Sequence, residues 1–121
     1  ANRLGIVDTL MTSSTRLYAN PRTLEDPVRR ERVEALVLVL KSVLDARRRV
    51  MLELNVSSDR LDAVLSLLPA MRKPTLSSLQ GDAGSAVKAA VPKSALTGLI
   101  PTLRRAGASD IVVSRIDQIV A

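Results

Sequence analysis

Strand-like and helix-like patterns alternate from Val50 onward, and this alternation constrains the fold more than any other feature of the chain. The order is strand, helix, strand, strand, helix, strand, with the predicted segments at residues 50–56, 61–68, 74–79, 85–91, 92–106 and 109–114. This βαββαβ order predicts an α+β, ferredoxin-like sandwich, with two helices on one face of an antiparallel sheet. The other face of such a sheet needs a cover or a partner.

Local signals mark the ends of these segments. Apolar residues at i, i+3, i+4 and i+7 spacing predict the first helix, and Pro69 ends it. Two glycines form a turn between the middle strands. Pro101 lies inside the second helix, and an interior proline costs about 3 kcal/mol, so a kink or a late start near Thr97 is expected. Gly107 is expected to cap that helix at its C-terminal end.

Two further segments precede this domain. Residues 1–26 are rich in threonine, serine and β-branched side chains, and they indicate an extended strand arm whose ladder partners lie outside the chain. Residues 27–49 predict a long linker helix with Pro27 in its first turn. The apolar stripe predicted for that helix comprises Val33, Leu36, Val37, Leu40, Val43 and Leu44. Residues 50–121 form the third predicted part.

Composition excludes several kinds of chemistry. The 121 residues contain no cysteine and no histidine, which rules out disulfides, thiol catalysis, Cys/His zinc sites and histidine-dependent triads. Apolar runs fall well short of the roughly 18 residues that a membrane-spanning helix needs. We therefore expect no membrane partner, and a cytoplasmic location fits the absence of cysteine.

The net charge of +6 leaves two interpretations open. One is a basic ferredoxin-like module that binds nucleic acid or a protein partner. The other is a solvated surface, which we favour because Tyr18 is the single aromatic residue and nothing else could stack on bases. Three arginines at 47–49 pose the same choice locally, between a phosphate site and favourable electrostatics at a helix C-terminus.

Catalytic motifs are absent from the sequence. It contains no phosphate-binding P-loop, no dinucleotide-binding glycine motif and no nucleophile elbow. Asp59 and Asp62 could suggest a metal pair, but acidic residues at the start of a helix are more simply explained by its dipole. A self-sufficient enzyme is thus the least favoured function, and we predict no catalytic or metal-binding residue.

One stretch is less generic than the rest. Residues 67–79 read LLPAMRKPTLSSL, which resembles a signature of the C-terminal regulatory domain of long-form ATP phosphoribosyltransferases. Further segments are similar to that family in the same order: ANRL at 1–4, SSTRLYAN at 13–20, LNV at 54–56 ahead of Leu61 and Val64, LRRAGASDIVV at 103–113 and RIDQI at 115–119. Ser57 and Ala70 depart from the family pattern, which commonly has proline and glycine there.

The resemblance implies a C-terminal piece of a glycosyltransferase of histidine biosynthesis. Residues 1–26 would then be a strand arm of the second catalytic subdomain. Residues 27–49 would be the helix that links this subdomain to the regulatory domain, which would comprise residues 50–121. Members of the family condense ATP with phosphoribosyl pyrophosphate, with magnesium, and L-histidine switches their hexamer to a less active arrangement by feedback inhibition. Because the phosphoribosyl-pyrophosphate loop is missing, the chain is expected to be inactive alone and to carry no cofactor. Its expected partners are L-histidine and further copies of itself.

The same resemblance suggests where L-histidine binds. An amino acid needs acceptors for its ammonium group, donors for its carboxylate and a dry surface for its side chain. Hydroxyl, amide and carboxylate groups together with apolar wall residues could supply these. The predicted ligand-binding residues are Asn55, Met71, Thr75, Leu76, Ser77, Asp110 and Ile111.

Overall fold

Four strands form one antiparallel sheet in the order β2-β3-β1-β4. In the computed structural model, which describes residues 3–121 and of Asp82 the backbone only, the strands are β1 Arg49–Val56, β2 Thr75–Ser78, β3 Ser85–Pro92 and β4 Ser109–Arg115. β1 is central and pairs with β3 from Arg49↔Pro92 to Val56↔Ser85. This confirms the predicted βαββαβ order and the α+β, ferredoxin-like class.

The helices are α1 Pro21–Glu25, α2 Pro27–Arg47, α3 Leu61–Leu67 and α4 Leu96–Arg105. Short 3₁₀ turns at Ser58–Arg60 and Lys93–Ala95 lead into α3 and α4. The late start expected for the proline-containing helix is confirmed, since α4 begins at Leu96 and keeps Pro101 in its interior.

The core lies between the sheet and the helices α3 and α4. Every second residue of β1 is buried, beginning with Val50 and ending with Val56, as the two-residue period of a strand requires. Val64 of α3 and Leu103 of α4 are fully buried against this face. The buried residues of this core are all leucine, valine or alanine.

Gly107 ends α4 as expected. Its φ is 106°, and the N–H groups of Gly107 and Ala108 donate to the carbonyls of Arg104 and Leu103, at 3.2 and 3.0 Å. This is the Schellman pattern, in which a left-handed residue turns the chain back over the last helical turn. Ala108 is thereby buried and β4 begins at once.

The chain divides into two compact units, Ala1–Glu34 and Ala35–Ala121. In the first unit, residues 3–20 adopt no helix or strand, so the predicted strand arm has no ladder within the part of the chain that is described. The partners expected for it lie outside the chain, and the strand stays a prediction.

Within α2, most of the predicted apolar stripe is left uncovered by the described part of the chain. Ser42 and Ala46 are the buried residues of this helix, whereas Leu36, Leu40 and Leu44 are about half exposed. Ser42 accepts a hydrogen bond at its carbonyl from the Ile119 N–H, at 3.1 Å. Residues 116–121, which include Ile119, adopt no helix or strand. Each helix in the described part of the chain is too short or too polar to span a bilayer.

Candidate functional site

The sheet has an open face on the side away from α3 and α4, and polar residues concentrate at one end of it. We define this open face by the residues that alternate with the buried ones: Glu53 and Asn55 of β1, Thr75 and Ser77 of β2, Ala86 and Lys88 of β3, and Asp110 and Val112 of β4. They line a shallow concavity of about 420 Å³. Four of the seven predicted ligand-binding residues, Asn55, Thr75, Ser77 and Asp110, meet there.

Cross-strand pairing brings these side chains together in two rows. Thr75 lies opposite Lys88, and Lys88 lies opposite Glu53. The Lys88 Nζ and Glu53 Oε1 atoms form an ion pair at 2.7 Å with both side chains about half exposed. This pair was not predicted in the sequence analysis above. The strand register could have revealed the Lys88–Glu53 pair, because residues 53, 75 and 88 point to the same face of the sheet from directly opposite positions.

The second row ends at Asp110, and a β-bulge sets its position. The pairing of β1 with β4 shifts register between Glu53 and Asn55, and Asp110 has a φ of 49°. Bulges redirect side chains, and aspartate tolerates the left-handed region better than most residues. The Asp110 Oδ2 accepts hydrogen bonds from Asn55 Nδ2 and Ser109 Oγ, each at 3.1 Å.

The other three predicted residues lie elsewhere. Met71 lines a neighbouring concavity, shared with Thr75 and Lys88, and its N–H donates to the Ala90 carbonyl at 3.0 Å. Leu76 pairs with the buried Val87, and Ile111 packs against the core, so both belong to the helix side of the sheet. The two-residue period of the strands separates them from Thr75 and Asp110. Their role in ligand binding stays a prediction.

The open face offers binding chemistry rather than catalytic chemistry. Its carboxylates can accept hydrogen bonds from an ammonium group, and the lysine and hydroxyl groups can donate to a carboxylate. Among the described side chains, acidic groups do not gather in threes anywhere that could hold a metal ion.

Asp59, considered above with Asp62 as a metal pair, lies away from this face. A side-chain hydrogen bond from Ser57 lowers the pKa of the Asp59 carboxyl below its ordinary value. Asp59 belongs to the 3₁₀ turn that leads into α3, and Asp62 lies in the first turn of that helix. Both positions suit negative charge at a helix start.

Comparison with known proteins agrees with the fold and the motif order. The family model described as "HisG, C-terminal domain" matches residues 46–118. An ATP phosphoribosyltransferase of Pelotomaculum thermopropionicum is 43% identical over 112 residues, covering 93% of this chain and 39% of that protein. The ATP phosphoribosyltransferase of Solibacter usitatus is 40% identical over 120 residues, covering 99% of this chain and 42% of that protein.

The chain spans about two fifths of the length of the curated relatives that it matches. The family model covers more than half of the chain, including β1 to β4 and both helices of the sandwich. The chain therefore belongs to the HisG C-terminal domain family.

Proposed function

We propose that this chain is the regulatory portion of an ATP phosphoribosyltransferase and that its open face binds L-histidine for feedback inhibition. Family membership and the names of the relatives support the first part. One observation carries the second: Asn55, Thr75, Ser77 and Asp110 are distant in sequence, yet they line one concavity. The ATP- and phosphoribosyl-pyrophosphate-dependent reaction, with its magnesium, belongs to the rest of the full-length enzyme.

The groups of the open face match those of an amino acid. Asp110 is exposed and keeps acceptor capacity beyond its two hydrogen bonds, so it is the acceptor that we propose for the α-ammonium group. The hydroxyls of Thr75 and Ser77, with Lys88 beside them, are the donors that we propose for the α-carboxylate. A ligand of this kind carries both charges, which is why a surface with one sign of charge would not suit it.

The concavity is open to solvent on the side away from the sheet. In our proposal, a second copy of the chain covers that side. Val112 is 53% exposed at its edge, and the imidazole ring needs an apolar wall on its other side. An assembly of regulatory domains would supply that wall, in line with the hexamer expected for the full-length family. In this view the ligand stabilises one arrangement of copies over another, because its affinity differs between them.

Isothermal titration of the oligomeric chain with L-histidine tests this proposal. We expect saturable binding that Asp110→Asn weakens at least tenfold, because the charged acceptor for the ammonium group is lost while the amide keeps the size and the tolerance of a positive φ. Histamine, which lacks the carboxylate, should bind far more weakly than L-histidine.

Asp62→Asn is the matched control, since it makes the same chemical change in α3, on the helix side of the sheet. Its affinity for L-histidine should stay within twofold of the original chain. Absence of both heat and thermal shift in a folded, oligomeric sample would contradict the proposal, and so would equal weakening by the two substitutions.

A further inference from the structure

Three cationic side chains meet at a corner of the sheet that the proposed function does not use. The end of β3 lies beside the start of β1, where Arg49 pairs with Pro92, and the Lys93 N–H donates to the Arg48 carbonyl at 2.9 Å. Arg48, Arg49, Pro92, Lys93 and Ser94 line a concavity of about 600 Å³. We call these five residues the basic corner.

The basic corner is separate from the histidine site proposed above. Along β1, Arg49 and Asn55 stand at opposite ends of the strand, about 20 Å apart at the usual rise of a strand. Neither concavity shares a lining residue with the other. An inference about the corner therefore stands independently of L-histidine binding.

Positive charge in the basic corner is not neutralised by neighbouring side chains. No acidic residue is among those that line the concavity, and the ion pairs found among the described side chains involve none of Arg48, Arg49 and Lys93. The Arg49 Nε is buried and has no hydrogen-bond partner among the described atoms. Buried donors in folded proteins are nearly always paired, and a charged donor more strictly so, which makes the Arg49 Nε a group suited to an anionic acceptor.

Helix-end electrostatics explains only part of this cluster. Arg47 ends α2 and Arg48 follows it, where the helix dipole favours a cation. Arg49, however, is the first residue of β1. Lys93 opens the 3₁₀ turn that leads into α4, and positive charge is unfavourable at the start of a helix. The three cations repel one another at close range, so a role that all three share is best explained by an anion bound between them.

We infer that the basic corner binds a small polyphosphate anion. Arginine guanidinium groups present paired donors that match two phosphate oxygens, lysine adds a point charge, and the Ser94 hydroxyl is a further donor. Pro92 is the one apolar residue of the lining, and no aromatic ring is present to hold a nucleobase. Recognition is therefore directed at the phosphate groups and not at a base.

Titration of the full chain with inorganic tripolyphosphate at about 0.1 M salt tests this inference. We expect saturable heat, and shifts in the amide resonances of Lys93 and Ser94 that saturate at the same concentration. The double variant Arg49→Gln with Lys93→Gln should bind at least twentyfold more weakly, because two of the three cations are removed. Lys93→Gln alone changes an exposed side chain, should fold normally and should weaken binding at least fivefold.

Arg60→Gln with Arg105→Gln is the matched control, because it removes two exposed charges from the same compact unit outside the corner. The affinity of this variant for tripolyphosphate should fall less than threefold, because removing any two cations lowers the general positive potential of the chain. Equal weakening of the two double variants, or no saturable binding to the original chain, would overturn the inference. It would also be overturned if a single-stranded oligonucleotide displaced tripolyphosphate at a lower phosphate concentration, since the surface would then be one for nucleic acid.

Discussion

Gly84 allows the close approach of β3 to the end of β1. It is buried, its φ is 125°, and a Cβ atom at this position would collide with the Val56 carbonyl oxygen and lie 2.9 Å from the Ser57 Cα. The Gly84 carbonyl also accepts a hydrogen bond from the Leu79 N–H at 2.9 Å. Both obstacles are backbone atoms, which cannot move without disturbing the sheet.

Gly84→Ala should therefore lower the free energy of unfolding by about 3 kcal/mol or more, from strain and from overlap together. Urea denaturation followed by circular dichroism measures this change. Gly81→Ala is the control, because Gly81 also has a positive φ, 71°, but nothing lies within 4 Å of its added Cβ. Gly81→Ala should lower the free energy of unfolding by only about 1 kcal/mol. Equal losses would mean that backbone strain alone decides both positions.

Some residues of the candidate site could be placed from the sequence, and others could not. Thr75 and Ser77 alternate along one strand, so their shared face could be read from spacing, as could the polar face of β1. The position of Asp110 could not, because it depends on a bulge between β1 and β4 that no local pattern announces. The same two-residue period could have shown that Leu76 lies opposite to Thr75.

At the scale of elements, hydrophobic periodicity predicted the order and type of all six elements of the sandwich. Boundaries moved by one or a few residues, as in β2, expected at 74–79 and observed at Thr75–Ser78. The α2 helix shows what such patterns leave open. Its apolar residues repeat at helical spacing, yet small residues, Ser42 and Ala46, are the buried ones. Periodicity identifies a helix, but what covers each face depends on elements distant in sequence or outside the chain.

Pro101 lowers the stability of the α4 helix. The residue is exposed in the interior of Leu96–Arg105, and it cannot donate to the Thr97 carbonyl as a regular helical residue would. Pro101→Ala restores that donor and a better helix former. We expect the free energy of unfolding to rise by about 1–2 kcal/mol, since the helical gain of up to ~3 kcal/mol exceeds the ~0.4–1 kcal/mol lost when the unfolded chain becomes freer.

Thermal unfolding by circular dichroism checks this prediction, with Pro92→Ala as its control. Pro92 has a φ of −60° at the end of β3, which suits proline, so its replacement should lower the midpoint slightly. A fall in the midpoint for Pro101→Ala would show that the helix needs its proline for a bend or a contact.

The whole molecule combines a self-contained sandwich with segments that bury little. β1 is hydrogen-bonded to β3 on one side and β4 on the other, and its inward side chains form the centre of the core. Residues 3–20, in contrast, have exposed side chains and no ladder or helix within the described chain. Leu4, Ile6, Leu10 and Met11 are each more than four fifths exposed. Apolar residues in such numbers are typical of a segment that packs against something else.

Amide hydrogen exchange should reflect this contrast directly. In dilute monomeric chain, amides of residues 3–20 should exchange at nearly the rate of an unfolded peptide, because none of their N–H groups donates to a backbone carbonyl in the described structure. Those of β1 should exchange slowest, through global unfolding. If the arm is a strand whose partners lie outside the chain, its amides should become protected only when another chain supplies a sheet edge. Protection of the arm that does not depend on concentration, in a sample shown to be monomeric by light scattering, would mean that the arm pairs internally. The partners expected outside the chain would then be ruled out.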